Sequence, residues 1–130
     1  MEQGTTFVLE DKRIDKHLWV VLSDPEQFPD TVVIVSFTTL REGSEATCVV
    51  ETNEHPGWLT HQSCVAFKFA RVVTLEQLFA LKISGKLKVQ ADKVTPVLLS
   101  RIFESAPNST GIDDKVAEIL EKQGYINLSE

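Results

Sequence analysis

The sequence predicts a compact antiparallel β-barrel followed by a helical C-terminal part, mainly β overall, within one domain spanning residues 1–130. Three observations predict it. Apolar runs of strand length, rich in β-branched and aromatic residues, crowd into His17–Val73. Proline- and glycine-bearing breaks separate those runs. After Val73 the apolar spacing becomes helical, and residues suited to capping precede the stripes. The barrel is read over about residues 5–73 and the helical part over about 74–126.

Thr6–Leu9 is a short first strand, followed by the charged run Glu10–Lys16. His17–Ser23 is nearly continuous in apolar residues and reads as a buried strand, ended by Asp24-Pro25. Thr31–Leu40 is a second strong strand, and Glu42-Gly43-Ser44 a turn into a third over Ala46–Thr52. Short loops between these three imply an antiparallel meander. After a loop around His55-Pro56-Gly57, Ser63–Val73 is a long strand. In it Cys64, Ala66 and Lys68 alternate with Val65, Phe67 and Phe69. Closing such a sheet on itself removes its exposed edges.

Thr74 with Gln77 three residues on forms a capping-box pattern. Leu75, Leu78, Phe79 and Ile83 follow at helical spacing until Gly85. Thr95-Pro96 opens a second helix with the stripe Val97, Leu98, Ile102 and Phe103. A third, with Ile112, Val116, Ile119 and Leu120, ends at Gly124. These three stripes are expected to pack on the chain's own strands, a second copy being the alternative.

The chain carries a net charge of −6. Residues 1–71 hold six Lys/Arg against eleven Asp/Glu, so the strand half is the acidic half. Generic nucleic-acid binders gather positive charge, so any such contact here has to be local. No apolar run approaches the roughly 20 residues a membrane span needs, and no signal-peptide pattern opens the chain. A cytoplasmic protein without membrane contact is expected. Cys48 and Cys64 lie in apolar runs and read as buried core residues.

The run His17-Leu-Trp-Val-Val-Leu-Ser-Asp24, a loop, then Val32-Val-Ile-Val-Ser-Phe-Thr-Thr39 resembles the core of the PemK/MazF-like family. Leu59–Val65 and Ala70–Leu78 are similar to that family's later strands and following helix. The likeness spans roughly residues 5–82. It implies an SH3-like barrel with added helices. It also implies a metal-independent mRNA endoribonuclease toxin with an antitoxin partner and no cofactor, and a homodimer is compatible with it. Thr38 matches the family's threonine at the end of the second strong strand, with Thr39 as the alternative register. Where the family places an arginine before the first strong strand, this chain has Lys16 then His17, and no glycine loop precedes them. Lysine offers a phosphate a point charge in place of arginine's fork. The other reading of the same barrel is a non-catalytic binding module.

Metal-free RNA cleavage needs a base for the 2′-hydroxyl, an acid for the leaving 5′-oxygen and a cation on the phosphate. Histidine suits both proton roles near neutral pH. Thr38, His17, Arg41 and His61 are therefore the candidate catalytic residues. Lys16, Thr39, Trp58 and His55 are the candidate RNA-binding ones. Each has a plainer alternative: Arg41 as a solvated turn residue, Thr38 as strand filler, Trp58 as a loop anchor. Cys48, His55, His61 and Cys64 match no zinc-ligand spacing, so no metal site is expected. Nucleophile-elbow, phosphate-loop and dinucleotide motifs are missing from the sequence.

Overall fold

The computed structural model describes residues 1–10, 17–54 and 59–128. The order is β1 (Thr6–Leu9), β2 (Leu18–Val21), β3 (Val32–Thr39), β4 (Val49–Val50), β5 (Ser63–Val73), α1 (Leu75–Ile83), β6 (Leu87–Val89), α2 (Pro96–Ser105) and α3 (Asp114–Lys122). The strands form one six-stranded antiparallel sheet, ordered β4-β5-β3-β2-β1-β6. Among the described residues no ladder joins β4 to β6.

Both faces of the sheet are covered. Leu18, Val20, Val33, Val35, Phe37, Val65 and Phe67 point to one face, under Leu98, Ile102, Val116 and Leu120 of α2 and α3. Phe7, Trp19, Val21, Val32 and Ile34 point to the other, under Leu78 of α1. Because alternate residues of β2 and β3 each find an apolar layer, their runs are nearly unbroken in sequence. A sheet with one wet face would alternate instead. The helices pack on the chain's own strands, as their spacing predicts.

Several expectations are corrected. The third strand shrinks to Val49–Val50, and the meander does not form, because β5 lies between β3 and β4. The two-residue β4 pairs with β5 through Val49–Cys64 and Val50–Ser63. A sixth strand, β6, pairs with β1, which the sequence reading left without that partner.

The simple alternation along β5 also fails at Phe69, which is 49% exposed. Ser36 pairs with Ala66 and Ile34 with Arg71, so four residues of β5 stand against Val35 alone. This bulge resets the parity of the strand. Arg71 thereby reaches the face of Trp19, with its guanidinium 5.5 Å from the ring centroid. The helical stripes are likewise narrower than their spacing predicts. Val97 is 75% and Ile83 87% exposed, while Leu98, Ile102 and Leu78 are buried.

Candidate functional site

Three chain segments converge at one end of the sheet. Strand β3 ends in Thr38 and Thr39, which pair with Cys64 and Ser63 at the start of β5. Beyond the strands, the Leu40 amide donates to the Gln62 carbonyl at 2.9 Å, so the approach to β5 lies beside the exit from β3. The β2–β3 ladder sets Trp19 opposite Ser36, and continuing that register by two residues brings His17 opposite Thr38. A long-range antiparallel sheet thus gathers residues 17, 38 and 61 that are far apart in sequence.

The turn after β3 adds the cation. The Ser44 amide donates to the Arg41 carbonyl, and the Arg41 amide donates to Ser44 Oγ, both at 3.0 Å. Gly43, with φ of 86°, supplies the left-handed residue this closed turn requires. On the facing segment, Ser63 Oγ donates to the His61 carbonyl at 3.0 Å and fixes the step into β5.

The result is an open cleft of about 310 Å³. His17, Arg41 and His61 line it with Thr38, Thr39, Ser44, Thr60 and Ser63, over an apolar floor of Phe37 and Leu59. No Asp or Glu lines it among the described residues, although the chain as a whole is acidic. One guanidinium, two imidazoles and five hydroxyls around a small volume suit an oxyanion such as a phosphodiester. Arg41 has no ion-pair partner among the described residues.

His17, Thr38, Thr39, Arg41 and His61 therefore share one cleft. Lys16, His55 and Trp58 lie outside the described residues. The sequence reading missed Ser44, Thr60 and Ser63, because a hydroxyl in a turn or at a strand edge carries no periodic signal. Cys64, beside Thr38, is buried, and that burial pushes its thiol pKa up. A protonated, enclosed thiol is a core residue and a poor nucleophile. Cys48 is also buried and unbridged. Among the described residues no three His, Cys, Asp or Glu side chains group as metal ligands, and no helix is long and apolar enough to cross a membrane. No family model and no curated protein matches the chain.

Proposed function

We propose that the cleft binds the phosphodiester backbone of single-stranded RNA and cleaves it without a metal, as the PemK/MazF-like resemblance implies. The observation that supports this reading is the convergence of His17, Thr38, Arg41 and His61 on one cleft that no Asp or Glu lines among the described residues. Arg41 holds the phosphate and Thr38 donates a hydrogen bond to it. One imidazole takes the proton of the 2′-hydroxyl, whose oxygen attacks phosphorus. The other gives a proton to the departing 5′-oxygen, leaving a 2′,3′-cyclic phosphate and a 5′-hydroxyl end. On the same reading an SH3-like closure of the strands, a cytoplasmic setting and an antitoxin partner go with the activity. The chain's net charge of −6 favours the second reading, a barrel that binds without cutting.

The test is incubation of a long RNA with the purified protein in EDTA, beside a Thr38→Ala, Arg41→Ala variant. Cleavage by the wild type and at least about 100-fold less by the variant is expected. Binding without cleavage by the wild type selects the second reading. Equal cleavage by both proteins removes the cleft from the chemistry.

A further inference from the structure

The turn that carries Arg41 is not held by the sheet alone. Glu45, next to Ser44, reaches the segment between α2 and α3. Its Oε1 accepts from Ser109 Oγ at 2.6 Å, and its Oε2 accepts from the Gly111 amide at 3.0 Å and Thr110 Oγ1 at 3.3 Å. Ser109 Oγ in turn accepts from the Gly111 and Ile112 amides at 3.2 and 3.1 Å, which fixes the loop that grips the carboxylate. A Cβ on Gly111 would meet Glu45 Oε2 and Lys68 Cβ, each at 3.3 Å, so the close approach suits glycine.

We infer that this grip makes Glu45 a positioning residue for Arg41, and the 109–111 loop of the C-terminal helical part the brace of the cleft. The inference rests on the proposed RNA-binding role of that cleft. The chain of contacts is continuous: Ser109 and Gly111 hold Glu45, Glu45 adjoins Ser44, and Ser44 closes the turn on Arg41. The grip has an electrostatic side as well. A free carboxylate beside the cleft would compete with phosphate for the guanidinium, and its three donors keep it engaged elsewhere. A backbone turn fixed before the ligand arrives leaves only the Arg41 side chain itself to be ordered on binding.

The test measures binding of a fluorescein-labelled, single-stranded 2′-O-methyl RNA, which lacks the attacking hydroxyl and so stays intact. Wild type, Arg41→Ala, Glu45→Ala, Ser109→Ala and Glu45→Ala with Arg41→Ala are compared, with thermal melts confirming folding. Glu45→Ala and Ser109→Ala are each expected to weaken binding about tenfold, the scale of one lost charge-assisted hydrogen bond. The double variant is expected to bind no worse than Arg41→Ala, because Glu45 acts through that residue. If Glu45 mattered only as a charge, its removal beside a cationic cleft would tighten RNA binding. Tighter or unchanged binding by both single variants, with Arg41→Ala still weak, overturns the brace alone. Effects that multiply in the double variant overturn it too. Wild-type affinity in Arg41→Ala overturns the cleft reading itself. Ser109→Ala changes no charge and carries the test if Glu45→Ala does not fold.

Discussion

Arg101 reaches from α2 to the β4 edge of the sheet. Its Nη2 donates to the Val49 carbonyl at 2.9 Å and to Glu54 Oε1 at 2.8 Å, while Nη1 lies 2.7 Å from Glu54 Oε2. A forked pair of this kind both fixes an orientation and occupies part of a sheet edge. The Arg101 hydrogen bond holds the Glu54 carboxyl below the ordinary glutamate range, against a smaller upward push from burial, and the Glu51 amide helps. A carboxyl lowered in the folded state stabilises the fold above its unfolded value of about 4.3 and loses that contribution as pH falls through its folded value. Glu54→Gln is therefore expected to be less stable than wild type by about 0.5–1 kcal/mol near neutral pH, with the gap closing at an acidic pH below the folded carboxyl's own value. Urea melts at both pH values check it, and a gap that persists in acid would show that the charge is not its source. At this scale legibility followed position. His17, Thr38 and Arg41 could be nominated because they sit at the ends of strong apolar runs. Glu45 and Arg101 could not, because their partners lie 64 to 66 and 47 residues away.

Among the elements, α1 shows what a local rule can deliver. Thr74 Oγ1 accepts from the Gln77 amide and Gln77 Oε1 accepts from the Thr74 amide, both at 2.9 Å, as the spacing predicts. Thr95 caps α2 in the same manner, through the Leu98 amide. Removing the first cap by Thr74→Ala is expected to cost about 1 kcal/mol, and Thr74→Ser to cost little. Thermal melts of the two variants measure the difference, and equal melting would mean that packing alone sets this helix. Strand partners were less legible than caps. β6 has three residues with Lys88 at its centre, too few to show a period, and it is a strand because β1 offers it an edge. β4 is similarly defined by its neighbour. Which strand sits beside which depends on the packed sheet, so the insertion of β5 between β3 and β4 left no local mark.

Over the whole molecule, the C-terminal helices are half of a core. Ile102 is fully buried and packs with the face of the sheet that carries Val35, Phe37 and Phe67. Ile102→Ala is expected to destabilise the chain by about 2–5 kcal/mol, the range for emptying a packed core site. A urea melt with a shift below about 1 kcal/mol would show that α2 is only loosely seated. The same layer binds across its far end. Tyr125 stacks on Phe103 at 4.8 Å and accepts from the Asp24 amide at 3.0 Å, while Gln123 Nε2 donates to the Thr31 carbonyl and hydroxyl. The amphipathic stripes made this layer foreseeable, and the unbroken apolar runs of β2 and β3 required two covers. Which helix serves which face was not readable, since α1 follows β5 directly yet crosses to the side of Trp19.

The bulge in β5 has a consequence for how this chain can vary in length. Phe67–Ala70 stand against Val35 alone, while Val65 and Val73 are held in separate stretches of ladder on either side. Within that excursion Phe67 and Ala70 are core residues and only Lys68 and Phe69 are exposed, so losing one of the exposed pair removes no packed side chain and leaves both stretches paired. Losing one from Cys64–Ala66 shifts a register and turns the neighbouring side chains to the opposite face. A change of length in this strand is accordingly best absorbed at the exposed Lys68–Phe69 and is ruinous at Cys64–Ala66, which are in register with the end of β3.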